Sequence, residues 1–244
     1  MSRLYDALEL ARKKKIMQEK PSEMPLPKIY STQEALHDME EEMLSLYQNI
    51  MGLLPDIARP IILFIGSQSN EGTSTVARQL AKVASLKLGK TVLLVDLDRS
   101  RPDFHVFVDR KADYNSEEIF NTDEPVEKVF QQVEETNLYV MPLFQQSRLD
   151  PRTVDSAKDT AFWEHLRDRF DLIIIDTPPA TLFPDGLALV RQVDGVVLVF
   201  EAERTRWPVT LSVKKNILKN GGKILGIVFN KRRFYIPQWL YKWL

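Results

Sequence analysis

The chain has 244 residues, 44% of them hydrophobic and 27% charged, the balance of a soluble globular protein long enough for one large α/β domain. A net charge of -1 and a pI near 6.4 exclude a global basic field, so no nucleic-acid partner is expected. The absence of cysteine excludes disulfides, thiolate zinc sites and a cysteine nucleophile, and no apolar run approaches the ~20 residues needed to cross a bilayer.

The opening segment, MSRLYDALELARKKK, lacks the apolar core and cleavage site of a secretory signal, which predicts a cytoplasmic protein. Residues 1–20 read as a short amphipathic helix with Leu4, Ala7, Leu8 and Ala11 on one side. The basic run Arg12 to Lys15 either complements that helix's C-terminal dipole or touches acidic lipid. A proline-rich linker over 21–30, containing PSEMPLPK, follows. The main domain is expected over 31–233. Its first helix opens with Ser31 and Glu34 in capping-box spacing and continues through Leu36, Met39, Met43, Leu46, Ile50 and Leu53. That apolar stripe predicts packing on the parent domain, with a partner helix as the alternative.

From Ile61 onward, short apolar runs alternate with helical stretches. IILFIG, TVLLVDLD, LYVMPL, DLIIIDTPP, GVVLVFE and KILGIVFN lack polar alternation, which predicts strands buried on both faces. STVARQLAKVASLKLG and AFWEHLRDRF lie between them as helices. The expected fold is α/β, a doubly wound and mostly parallel sheet with helices on both faces. Such folds bind ligands at the carboxyl ends of their strands.

Three polar motifs fall at those ends. GSQSNEGTSTVARQLA runs from a strand through a loop into a helix starting near Gly72, so backbone amides and a positive dipole end can hold phosphate. Ser69, Asn70, Glu71, Gly72, Thr73, Ser74 and Thr75 are the candidate nucleotide-binding residues, with Ser74 as the magnesium hydroxyl. Asn70 tolerates a left-handed backbone. Asp96 and Asp98 leave the end of a buried strand on one face, where they can hold magnesium through water or orient an attacking oxygen. The other reading has Asp98 capping a turn and Asp96 bonding to the loop. Asp176 ends a further strand before Thr177-Pro178-Pro179 and is a third metal candidate.

Together these segments resemble the bacterial tyrosine kinases of capsule and exopolysaccharide export, the CpsD/CapB group, within the P-loop class that includes the Min and Par ATPases. The resemblance runs from MSRLYDALELA through EEMLSLYQNI, the loop, VDLDRSRPDFH and IIIDTPP to ALVRQVDGVVLVFEAERTR and ILGIVFNK. It implies ATP or ADP with Mg²⁺ as cofactors, and catalytic roles for Asp96 and Asp98 in an active member. It also implies a water-bridged magnesium acid at Asp176, adenine contact at Asn230 and a recurring acid at Asp185. Three departures stand beside these matches. Thr73 occupies the loop-lysine position. The family's E-x-x-R-x-x-R assembly pattern reads Glu41, Leu44 and Tyr47. The tail RRFYIPQWLYKWL carries Tyr235 and Tyr241 without a tyrosine cluster.

Loss of one preorganised charge typically costs ~10²–10³ in rate, whereas ground-state binding retains the amides. A substitute cation could come from Arg99, Arg101, Arg204, Lys231 or Arg232. The expected function is therefore a catalytically impaired, kinase-like nucleotide-binding partner of an inner-membrane polysaccharide co-polymerase or chain-length protein, as a homo- or hetero-oligomer. The alternatives are an active ATP-dependent tyrosine autokinase and a Min/Par-like ATPase switch. The aromatic tail over 234–244 suits a membrane surface, giving a peripheral location at the inner face, a partner groove, or the domain's own surface.

Overall fold

In a computed structural model the chain is described over residues 32–97, 130–142, 157–182 and 185–232. It divides into two units, residues 1–39 and 40–244. Within the first, residues 32–39 are the opening turns of a helix, α1 (Thr32–Gly52). The N-terminal helix expected over 1–20, the linker over 21–30 and the aromatic tail lie outside the described residues.

The second unit is built on a seven-stranded sheet. Its elements are β1 (Ile61–Gly66), α2 (Thr73–Leu86), β2 (Val92–Asp96), β3 (Gln131–Gln132), β4 (Leu138–Pro142), α3 (Ala157–Arg167), β5 (Leu172–Asp176), α4 (Asp185–Ala188), β6 (Gly195–Glu201), α5 (Trp207–Lys219) and β7 (Ile224–Asn230). Strand order is β3-β4-β2-β5-β1-β6-β7, parallel except for the β3–β4 pair. All six apolar runs become strands, but the expected burial on both faces fails at β7, the sheet's edge, where Ile227 and Phe229 are 39% and 63% exposed. The two-residue β3 has no apolar signal, which is why the sequence does not announce it.

Period-two alternation divides the sheet's side chains between two cores. Ile62, Phe64, Leu94 and Ile174 meet Val76, Leu80 and Ala84 of α2, with Met43 and Ile50 of α1 in the same core. Leu63, Val95, Ile175 and Leu198 join Leu166 of α3 and Val213 of α5 on the other face. Both cores are needed, because each central strand is apolar on both sides. The stripe on α1 holds at Met43 and Ile50 but shifts at its end, where Leu54 is buried and Leu53 is 50% exposed. The helix stops at Gly52, so Leu53 lies beyond its period, and the Leu54 N–H closes a turn on the Met51 carbonyl instead.

At the amino ends of the strands one ion pair ties three elements together. Asp194 Oδ2 accepts from the Ile61 N–H at 2.7 Å and from Arg167 Nη1 at 2.7 Å, while Oδ1 accepts from Arg167 Nη2 at 3.1 Å. Arg167 Nη1 also donates to the Arg59 carbonyl at 2.9 Å. Such a forked pair, mostly shielded from water, leaves a charge and an amide unsatisfied when one member is removed. Asp194→Ala is expected to lower unfolding stability by about 1–3 kcal/mol in urea titration. Because the pair lies at the end of the sheet opposite the phosphate loop, ligand affinity should be unchanged at temperatures where the variant is folded.

Candidate nucleotide-binding site

β1 delivers the chain to Gly66, and the loop over residues 67–72 returns it to α2. Gly66 is dictated by crowding: a Cβ there would lie 2.6 Å from Thr73 Oγ1 and 2.8 Å from Glu71 Oε2. Asn70 takes the left-handed conformation its residue type tolerates, with φ 70°. Gly72 has φ 91°, and a Cβ on it would lie 1.9 Å from Asn230 Nδ2. Gly72 is also the N-cap of α2, its carbonyl accepting from the Val76 N–H at 3.0 Å. No side chain caps this helix. The amides of Thr73, Ser74 and Thr75 therefore have no partner within the helix and sit at the positive end of its dipole. Ser74 is half-buried in that first turn.

The loop interior is organised by Glu71, only 3% exposed. Its Oε2 accepts from the Ser67 N–H at 2.5 Å and the Gln68 N–H at 2.9 Å. Its Oε1 accepts from Ser67 Oγ at 2.7 Å and from Thr205 Oγ1 at 2.5 Å. The carboxylate thus occupies the amides at the start of the loop and leaves those at the start of the helix. From the far side, the Ala180 N–H donates to the Gly66 carbonyl at 3.0 Å, and Thr181 Oγ1 donates to the Ser67 carbonyl. The turn after Thr177-Pro178-Pro179 is thereby fixed against the loop.

Asp96 and Asp176 are paired in register at the carboxyl ends of adjacent parallel strands. Alternation puts both on the α2 face with Leu94 and Ile174. Asp176 is fully buried and Asp96 is 8% exposed. Arg78, one turn into α2, donates from Nη2 to Asp96 Oδ2 at 3.2 Å. Asp96 is thus tied to the helix that follows the loop. Asp98 lies outside the described residues, and Asp185 opens α4. Among the described residues no three acidic or histidine side chains converge as a metal cage. The donors fit magnesium, which keeps waters and takes one or two carboxylates along with substrate phosphates. Ser74, Asp96 and Asp176 would be its protein contacts.

The end of β7 closes the site. Asn230 Nδ2 donates to the Glu71 carbonyl at 2.9 Å, and its Oδ1 accepts from the Lys231 N–H at 2.9 Å. Lys231 Nζ donates to the Asn70 carbonyl and lies 3.3 Å from Glu201 Oε2. Arg204 Nη1 reaches the same oxygen at 3.2 Å. Burial alone would raise the Glu201 carboxyl. The hydrogen bonds and charges of Lys231 and Arg204 outweigh it and hold the group below the usual glutamate range. Of the five candidate cations, Lys231 bonds to the loop itself and Arg204 is one carboxylate away. Arg232 is exposed, while Arg99 and Arg101 lie outside the described residues. Sequence reasoning did not anticipate Arg78 on Asp96 or Thr205 on Glu71. An α2 arginine two residues past Val76 and a threonine just after β6 carry no local motif.

No protein-family model matches the chain. It is 25% identical over 193 residues to the tyrosine-protein kinase candidate CapB of Staphylococcus aureus, covering 79% of this chain and 84% of that one. Against the tyrosine-protein kinase CpsD of Streptococcus agalactiae it is 40% identical over 68 residues, 28% of this chain and 30% of that one. Among solved structures, the chimerical protein CapA2B2 superposes with a TM-score of 0.70 at 22% identity, over 80% of this chain and 85% of that one. The septum site-determining protein MinD of Pyrococcus horikoshii, solved with Mg-ADP, gives a TM-score of 0.59 at 20% identity, over 75% and 76% of the two chains. The chain is similar to tyrosine-protein kinases named CapB, CpsD, EpsB and YwqD, and it has the P-loop fold of solved bacterial tyrosine-kinase domains and of MinD-like ATPases.

Proposed function

We propose that this protein binds ATP or ADP with magnesium on the 66–75 loop but transfers phosphoryl groups poorly. In this reading it serves as a kinase-like partner of a membrane polysaccharide co-polymerase at the cytoplasmic face of the membrane. The observation that carries the reading is the uncapped first turn of α2, directly after a glycine-gated loop, in a chain whose loop-lysine position is Thr73. Amides of that turn favour a polyphosphate in its ground state. Thr73 offers a hydroxyl where transfer needs a charge. Asp96, the candidate catalytic acid, is engaged by Arg78, which supports the same conclusion. The Mg-ADP named with the MinD neighbour supports the choice of ligand, and the kinship with CapB and CpsD supports the capsule or exopolysaccharide setting. Among the described residues no helix is long and apolar enough to cross a membrane, so membrane contact in this proposal runs through the partner or the aromatic tail.

Titration of the purified protein with ATP and Mg²⁺ is expected to give saturable binding. Phosphotyrosine formation and ATP hydrolysis should stay near background. Thr73→Lys should raise turnover by roughly 10²-fold, the scale of one preorganised transition-state charge. Strong wild-type autophosphorylation that disappears in Asp96→Asn would instead establish the active autokinase. Gly72→Ala tests the loop itself: it forces a left-handed backbone on a residue that resists it and drives a methyl into Asn230. Binding should be lost, with a stability penalty of about 1–3 kcal/mol.

A further inference from the structure

We infer that Lys231 substitutes for the missing loop lysine in ground-state binding: its ammonium, delivered from the end of β7, supplies positive charge that holds a nucleotide's outer phosphates without replacing the transition-state charge at position 73. The inference rests on nucleotide binding at the 66–75 loop and adds the residue that makes the loop cationic.

Three observations carry it. First, Lys231 Nζ bonds to the Asn70 carbonyl, at the left-handed crest of the loop and three residues from the position of Thr73. Its neighbour Asn230 bonds to the next carbonyl, that of Glu71. Two consecutive residues of β7's end are thus registered on two consecutive carbonyls of the loop, which fixes where the ammonium sits. Second, Lys231 itself has φ 56°, a conformation uncommon for a long side chain. The Asn230 Oδ1 bond to its N–H helps hold the backbone there. Residues kept in sparsely populated conformations cluster at ligand clamps and active sites, where the surroundings over-determine them. Third, the donor count leaves room for a ligand. A lysine ammonium has three N–H donors, and the Asn70 carbonyl and Glu201 take two of them. The third is available to an oxygen at the loop.

The competing explanation makes Lys231 a clamp that only holds the loop's shape. A double-mutant cycle on the whole protein separates the two. ATP·Mg²⁺ affinity is measured by calorimetry for wild type, Lys231→Gln, Thr73→Lys and the double variant. If Lys231 supplies phosphate charge, Lys231→Gln weakens binding about tenfold or more, the scale of one charge-assisted hydrogen bond. Thr73→Lys then restores affinity in the Lys231→Gln background while adding little to the affinity of the wild type, because either cation can hold the phosphates of the bound ground state, whereas the rate effect of Thr73→Lys falls on the transition state. Equal ATP affinity in wild type and Lys231→Gln overturns the inference and leaves nucleotide binding standing. Equal gains from Thr73→Lys in both backgrounds also overturn it, because a clamp cannot be replaced by a charge elsewhere. Failure of the wild type and of Thr73→Lys to bind ATP removes the nucleotide reading, and this inference with it.

Discussion

The site depends on one carboxylate turned inward. Glu71 lies in the middle of its own loop, and each of its oxygens accepts two hydrogen bonds: two from amides, one from Ser67 and one from Thr205 across the molecule. A buried carboxylate is costly unless its lone pairs are filled, and here four are. Because they are filled from the loop's start and from the segment after β6, the loop cannot relax without breaking bonds in both places. Gly66, with no room for a Cβ between Glu71 and Thr73, follows from the same constraint. So does the division of the loop's amides. Those of Ser67 and Gln68 serve the internal anion, and those at the start of α2 are left for an external one.

That division explains how a phosphate loop can keep its form without its lysine. Shape comes from Glu71, from Asn230 on the Glu71 carbonyl, and from Ala180 and Thr181 on the carbonyls of Gly66 and Ser67. None of these contacts involves residue 73. A lysine there is thus unnecessary for the fold of the loop. The shape of the loop and the presence of a charge at position 73 are separable properties.

Much of this was legible in the sequence, and the boundary between what was and was not is one of range. Runs such as IILFI and LIIID declare buried parallel strands because no solvent face breaks the pattern, and all six proved to be strands. The loop was readable because its requirements are local: Gly66 and Gly72 where a Cβ cannot fit, and Asn70 where the backbone is left-handed. That Asp96 and Asp176 each end a strand was legible, whereas the pairing of those two strands with the acids side by side was not. The contacts that were not legible are long-range pairings of ordinary residues. Thr205 meets Glu71 from 134 positions away, and Lys231 meets Asn70 from 161. Lys231 could be named as one cation among five, but choosing it required the strand order that sets β7 beside β6 and so near the loop.

Asp96 faces Arg78, and Glu201 faces Lys231 and Arg204, so both of these carboxylates near the loop have a cation supplied by the chain. The two pairs differ in their shielding. Arg78 and Asp96 are 15% and 9% exposed, so that pair is weakly screened and Asp96 is committed. Lys231 is 45% exposed, and its pairing with Glu201 is of the kind that contributes little net energy in water. A polyphosphate arriving at the loop can therefore compete for the Lys231 ammonium more easily than a reacting hydroxyl can compete for Asp96. The asymmetry agrees with the proposed function, and it arises from burial, independently of the threonine at position 73.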